Sequence, residues 1–151
     1  MAIREIVKLG SEVLREKAKP VDTFDEKLSQ LIDDMFDTMF KADGVGLAAP
    51  QVGILRRVCV VSVDGGKTKY ELINPVIEKA SGRQCGVEGC LSCPGRSGAV
   101  VRPKKLTVRF CDRTGKEQLL KVDGFTAVAF CHEIDHLDGV LFIDKTVGEE
   151  E

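Results

Sequence analysis

The chain has 151 residues, of which 43% are hydrophobic, and its formal net charge at pH 7 is −2. This length suits one compact domain with a single core. The interspersed charges argue against a nucleic-acid partner, and the sequence shows neither a secretory leader nor the roughly 20 consecutive apolar residues of a membrane span. We therefore expect one domain over residues 1–147, a disordered acidic tail over residues 148–151, and a cytoplasmic location without membrane or nucleic-acid partners.

The first predicted element is an N-terminal amphipathic helix. Apolar residues recur at helical spacing from Asp25 to Ala42, and Thr23 and Glu26 are spaced as a capping box. The glycine-rich segment GVGLAAPQVG that follows is expected to be a loop. Short β-rich runs separated by Gly, Asp and Lys then predict antiparallel strands around residues 58–63, 70–77, 106–111 and 118–122.

A second helix is predicted late in the chain, from about Phe125 to Leu137, with Gly139 suited to the left-handed position that ends it. Together the elements predict an α+β fold in which antiparallel β-sheets pack around this late helix. Since the helix carries the pentapeptide HEIDH, it also contains both histidines of the chain.

The histidine helix has the spacing of a metal site. His132 and His136 are four residues apart, so their imidazoles share one helix face and can bind one ion. Glu133 lies beside that face, where it can take a proton from a water that the ion has acidified. Phe125 and Val128 precede His132 by seven and four residues, so we expect the ligand face to continue an apolar face that looks into the core.

Two histidines leave the metal coordination incomplete, and the third ligand decides the class of enzyme. The position of the third histidine in the metzincin pattern is occupied by Phe142, and the only glutamates further along the chain are in the terminal tail, residues 149–151. An upstream cysteine is the better candidate.

Three cysteines crowd one glycine-rich segment: Cys85, Cys90 and Cys93. Their C-x4-C-x2-C spacing also occurs in plant-type iron–sulfur proteins, with Cys111 or Cys131 as a possible fourth ligand. A structural zinc site of two cysteines and both histidines is a further alternative. Both alternatives describe a non-catalytic protein and give Glu133 no role, while a third holds that these cysteines bind nothing.

Three motifs in this order resemble the peptide deformylase family: GVGLAAPQ at residues 44–51, EGCLS at 88–92 and HEIDH at 132–136. The similarity runs from REIVKLG near the start to about Lys145. The resemblance implies a bacterial hydrolase of protein biosynthesis that carries out N-terminal processing. Its substrates would be N-formylmethionyl nascent peptides, from which it releases formate.

The same resemblance implies that Cys90, His132 and His136 bind one divalent metal ion. Iron(II) is the native ion that the family implies, and nickel, cobalt or zinc suit the same ligands.

Catalytic roles also follow from the resemblance. Glu133 accepts the proton of the attacking water and passes it to the departing amine, while the side-chain amide of Gln51 and the backbone N–H of Leu91 stabilise the negative charge on the formyl oxygen. Glu88 is expected to pair with Arg102, which would hold the ligand loop in place. The substrate is expected to contact five residues: Val45, Gly46, Gly89, Phe125 and Val128.

The sequence departs from the family pattern at two cysteines. Cys131 stands where many members have Gln before the first histidine, and we expect it to point away from the metal. Cys93 stands where aliphatic residues are common, which suggests sensitivity to oxidation. The chain also lacks a basic C-terminal helix after Lys145, so we expect no ribosome docking by that route.

Overall fold

The structure, a computed structural model, describes residues 2–147, so the predicted acidic tail lies outside the described residues. The described range contains two α-helices, α1 (Glu26–Lys41) and α2 (Gly124–His136), and short 3₁₀ helices at Glu12–Arg15, Ala49–Val52 and Phe142–Asp144. Its strands are β1 (Gly46–Ala48), β2 (Val58–Val61), β3 (Tyr70–Ser81), β4 (Gln84–Gly89), β5 (Ser97–Arg102), β6 (Lys105–Cys111), β7 (Glu117–Asp123) and β8 (Thr146–Val147).

The strands form two antiparallel sheets. The larger sheet has the order β1-β2-β3-β6-β7, and the smaller has the order β4-β5-β8. Strand β1 is therefore an edge of the larger sheet, and β4 is an edge of the smaller one. This arrangement confirms the predicted α+β fold with antiparallel sheets and a late helix.

The two helices cover opposite faces of the larger sheet. Strand β2 explains why, because its side chains alternate between the faces and all four are buried. Val58 and Val60 pack in the cluster that contains α1, whereas Cys59 and Val61 pack in the cluster that contains α2. Helices α1 and α2 therefore pack on opposite sides of β2, which is buried on both faces.

Helix α1 begins one residue later than the periodic segment and uses a different cap from the one predicted. The Asp25 side chain accepts the backbone N–H of Leu28 at 3.0 Å, so Asp25 is the N-cap. The Thr23 hydroxyl instead donates to Asp22 at 3.2 Å. The capping-box prediction was wrong because an aspartate nearer the first turn supplies the acceptor.

The four predicted strands are present, but four further strands were missed. Strand β1 lies inside the segment expected to be a loop, and β4, β5 and β8 form the whole smaller sheet. Strand β4 contains Gly86 and Gly89 and is mostly exposed, so it carries little of the hydrophobic alternation that identifies strands.

Helix α2 lies close to its predicted limits and has Leu137 as its C-cap. Gly139 has φ 75°, and a Cβ there would lie 2.5 Å from the carbonyl oxygen of Arg15. Glycine is therefore required at this turn for both conformation and space. Neither helix of residues 2–147 combines the length and apolar character needed to cross a membrane.

Candidate metal centre

Three side chains bring metal-ligating atoms together between α2 and the turn that follows β4. One donor atom each from Cys90, His132 and His136 lies within 4.8 Å of the other two, and Cys90 Sγ is 3.3 Å from His136 Nε2. Within residues 2–147 this is the one such group, and Cys85 and Cys93 are not part of it. The geometry does not favour the iron–sulfur and structural-zinc alternatives.

The charges around these atoms suit a cation. Burial lowers the pKa of His136 to about 3, and the positive charge of His132 adds to this effect, so its imidazole is neutral and keeps a lone pair for a metal. Burial also opposes a charge on His132, but Glu133, Cys90 and Glu88 outweigh it and raise its pKa to about 10. The negative surroundings that favour a proton on His132 would equally favour a metal cation in the place of that proton, and one cysteine with two histidines is a donor set that suits a divalent transition metal.

Glu133 faces the same centre from α2. Its Oε2 lies 4.0 Å from His132 Nε2, and its buried Oε1 has no hydrogen-bond partner among the described residues. Burial raises the pKa of this carboxyl to about 7. Strand β1 passes so close that a Cβ at Gly46 would lie 2.5 Å from Glu133 Oε2, so only glycine leaves room for the carboxylate.

The Nδ1 nitrogen of His132 is held by the carboxylate of Glu88. This nitrogen lies 3.0 Å from Glu88 Oε1, and Arg102 donates to both oxygens of Glu88 at 2.8 Å. Arg102 also donates to Asp135 at 2.8 Å, and Asp135 pairs with Lys145 at 3.2 Å. With Nδ1 directed at Glu88, Nε2 is the nitrogen that can face a metal.

Asp135 was given no role in the sequence interpretation, although it lies within HEIDH. The signal that could have found it is its position three residues after His132, on a neighbouring face of the helix.

The short 3₁₀ helix after β1 carries Gln51 into the site. Its Oε1 accepts the backbone N–H of Ala48 at 2.9 Å, which fixes the orientation of the amide. Its Nε2 donates to the Ser92 hydroxyl at 3.1 Å and lies 3.5 Å from Cys90 Sγ. Ser92 is a residue that the sequence interpretation missed, although it belongs to the EGCLS motif.

A cavity of about 390 Å³ opens beside these groups. The edges of both sheets border it, and its lining includes all five expected substrate contacts and Leu91: Val45, Gly46, Gly89, Leu91, Phe125 and Val128. Phe125 is 57% exposed, so the expectation that it belongs to a face looking into the core was wrong. It lies in the first turn of α2, where the helix emerges beside the cavity. Cys131 is buried in the main core and is not among the converging donors.

Comparison with known proteins shows the family of the chain. The family described as polypeptide deformylase matches residues 3–151. The chain belongs to the polypeptide deformylase family. Members of this family use a single metal ion.

Individual relatives and solved structures are similar along nearly the whole chain. A peptide deformylase of Heliobacterium modesticaldum is 57% identical over 149 residues, which are 99% of this chain and 97% of the relative. A crystal structure of a peptide deformylase from Legionella pneumophila has a TM-score of 0.94 at 48% identity, covering 97% of this chain and 88% of that one. The corresponding structure from Thermotoga maritima has a TM-score of 0.93 at 41% identity, covering 97% and 99%.

Proposed function

We propose that this chain hydrolyses the formyl amide of N-terminal formyl-methionine in nascent bacterial proteins and releases formate. The observation that carries the proposal is the convergence of Cys90, His132 and His136 beside the buried carboxylate of Glu133. Family membership gives the reaction, and these side chains provide the chemistry that it needs.

The three donors would hold the metal ion. A bound divalent ion supplies Lewis acidity, which polarises the formyl carbonyl and makes water more acidic. We propose iron(II) as the native ion, because the family resemblance implies it and the Cys-His-His donor set suits it. Metal analysis of protein purified under anaerobic conditions tests this identity, and nickel, cobalt or zinc as the main ion would contradict it.

Glu133 is proposed to move the proton. Its buried carboxyl has a pKa of about 7, which allows it to accept a proton from the attacking water and to donate it to the departing amine near neutral pH. Its free Oε1 faces no competing donor among residues 2–147. Glycine at position 46 leaves room for the carboxylate, because a Cβ there would lie 2.5 Å from Glu133 Oε2.

Gln51 and the backbone N–H of Leu91 are proposed to stabilise the negative charge on the formyl oxygen. Gln51 Nε2 donates to the Ser92 hydroxyl at 3.1 Å and to Cys90 Sγ at 3.5 Å, and because sulfur is the weaker acceptor, an oxyanion would compete for the second N–H. The bond to Ala48 prevents the amide from turning away. Preorganised donors of this kind act without reorganisation when the charge develops.

The substrate peptide is proposed to bind as an extended strand in the cavity between the two sheets. Edge strands present unpaired backbone groups, and both β1 and β4 are edges that border the cavity. Val45, Gly46 and Gly89 would contact the peptide backbone because they line the cavity at the two edge strands, and the two glycines allow close approach. Phe125 and Val128 would contact the methionine side chain.

A direct assay tests the reaction. Metal-loaded protein is mixed with a formyl-Met-Ala peptide, and formate release is measured for wild type and for Glu133→Ala. Release by wild type that is lost in the variant, with one metal per chain in both, supports the proposal. No release by metal-loaded wild type would contradict it. We further propose that nascent chains in the cytoplasm are the natural partners, in line with the family.

A further inference from the structure

Two of the six cysteines lie at the ends of one tight turn. The backbone N–H of Cys93 donates to the carbonyl oxygen of Cys90 at 2.9 Å, which closes a β-turn immediately after β4. The ends of such a turn have Cα atoms less than about 7 Å apart. Disulfide bonds join residues whose Cα atoms are roughly 4.4 to 6.8 Å apart. The backbone therefore already meets the spacing that a disulfide between these residues needs.

The side chains of the two residues also share one environment. Cys93 is buried in a small apolar cluster, and the partly buried Cys90 packs against the same cluster. Both residues also border the cavity of the metal centre. A small oxidant that reaches the cavity thus meets a thiol that has a second thiol beside it.

The other four cysteines do not share this arrangement. Cys59 and Cys131 are buried in the main core, Cys111 packs near α1, and Cys85 is exposed on β4. All six are free thiols in the structure. Cys85 therefore lies outside the turn, and it can be replaced without changing the Cys90–Cys93 pair.

We propose that Cys90 and Cys93 form a reversible disulfide site, which removes the sulfur ligand from the metal centre when a peroxide oxidises it. The inference rests on the proposed ligand role of Cys90. It assigns Cys93 as the resolving thiol.

The reaction with hydrogen peroxide balances in two steps. The Cys90 sulfur attacks one peroxide oxygen and breaks the O–O bond, which gives a sulfenic acid and, after protonation of the leaving oxygen, one water. The Cys93 sulfur then attacks the Cys90 sulfur, the S–O bond of the sulfenic acid breaks, and the hydroxyl leaves with the Cys93 thiol proton as a second water. Two thiols lose two electrons and two protons, and one peroxide becomes two waters.

Disulfide formation has two consequences for the centre. The Cys90 sulfur loses its negative charge, so the metal keeps only the two imidazoles and is bound more weakly. The bond also protects Cys90 from further oxidation to sulfinic and sulfonic acids, which simple thiol reductants do not reverse. A dithiol reductant and fresh metal should therefore restore the centre.

The test uses the zinc-loaded protein, because zinc has no redox chemistry of its own. A Cys85→Ser background is chosen because trypsin, cutting after Arg83 and Arg96, then yields a peptide with Cys90 and Cys93 as its only cysteines. Peroxide is added stepwise, while zinc release is followed with a chromogenic indicator and the remaining thiols are counted after denaturation. The tryptic peptide is analysed by mass spectrometry.

We expect two thiols to be lost for each zinc released and the peptide to lose two hydrogens. Dithiothreitol and zinc should restore both the thiols and the bound metal. In Cys93→Val, which replaces the thiol by an apolar group of similar size, Cys90 should instead gain oxygen atoms and the loss of zinc should not be reversible.

Equal, irreversible oxidation of Cys90 with and without Cys93 would overturn the proposal. A cross-link from Cys90 to any other cysteine would also overturn it. The ligand role is tested separately, because Cys90→Ala should lose zinc binding before any peroxide is added. Unchanged zinc binding by that variant would refute the metal-release step, while the mass of the wild-type peptide would still report whether the disulfide forms.

Discussion

Two buried glutamates lie on opposite sides of His132, and their surroundings differ. Glu88 lies at Nδ1 and receives two hydrogen bonds from Arg102, which with His132 outweigh burial and lower its pKa to about 2. Glu133 lies toward Nε2, has an oxygen without a partner among the described residues, and burial raises its pKa to about 7. The supply of donors, and not burial alone, therefore decides which carboxylate keeps its charge.

This difference assigns separate tasks to the two residues. A carboxylate that stays ionised can orient a histidine through a fixed hydrogen bond. A carboxyl with a pKa near neutrality can exchange a proton during each turnover. The sequence places both glutamates in motifs, but the difference between them depends on Arg102, which is 14 residues from Glu88 and 31 from Glu133.

The largest effect is expected from Glu133→Gln, which removes the carboxylate that exchanges a proton. Glutamine preserves the shape but cannot accept the proton of the attacking water, so kcat should fall by about 100- to 10,000-fold. Formate release measures this loss, and metal analysis should still find one ion per chain. A variant with wild-type kcat would show that Glu133 does not move the proton.

Gly46→Ala should also act on Glu133, although it changes a different strand. The new Cβ would lie 2.5 Å from Glu133 Oε2, so the carboxylate must shift. A displacement of about 1 Å in a catalytic group can cost about 100-fold in rate. Gly86→Ala is the matched control, because a Cβ at Gly86 meets nothing within 4 Å. Equal kcat/KM values for the two variants would contradict the steric argument.

Much of the site could be predicted because its residues lie in compact motifs. The i, i+4 spacing of His132 and His136 needs only a helix to bring the two rings together, and α2 lies within one or two residues of its predicted limits. Cys90 as the third ligand depended on family resemblance, since the spacing of the cysteines also fitted other metal sites. The structure places it within reach of both histidines.

The smaller sheet could not be predicted from hydrophobic alternation. Strand β4 exposes most of its side chains and contains Gly86 and Gly89, because it serves as an edge beside the cavity and not as a core strand. Strand β1 has three buried residues, too few to show a periodicity. The network from Glu88 through Arg102 to Asp135 joins two strands to α2, and such long-range pairing has no local signal.

Glu88→Gln changes the carboxylate that stays ionised, and it should reduce metal affinity more than kcat. Glutamine keeps an oxygen that can accept from His132 Nδ1 but lacks the charge that strengthens this bond and the pair with Arg102, so metal affinity should fall by about 10- to 100-fold. Competition with a chelator of known affinity measures this change, and kcat at saturating metal should fall less than in Glu133→Gln. Glu78→Gln, which breaks an exposed pair with Arg109, is the control. Unchanged metal affinity in Glu88→Gln would contradict the orienting role.

The smallest effect is expected for the exposed ion pair between Asp144 and Arg15. Asp144 pairs with Arg15, and this hydrogen bond lowers the pKa of Asp144 below its ordinary value. Both side chains are more than one-third exposed, so the pair should contribute only about 0.2–1 kcal/mol to the free energy of unfolding. Asp144→Asn keeps an oxygen that can accept the Leu141 N–H and removes only the charge.

Because the folded pKa is the lower one, the stabilisation is present above the unfolded value of about 3.9 and disappears as pH falls through the folded value. Urea unfolding of wild type and Asp144→Asn should therefore differ at pH 7 and converge as the pH falls below about 4. A difference that stays constant across this range would assign the effect to the turn at Leu141, since a hydrogen bond to a neutral amide does not titrate. A difference of about 1 kcal/mol or less at pH 7 that disappears at low pH would show that an arginine–carboxylate pair, which holds Glu88 ionised in the core, contributes little to stability in water, because solvent already stabilises the charge.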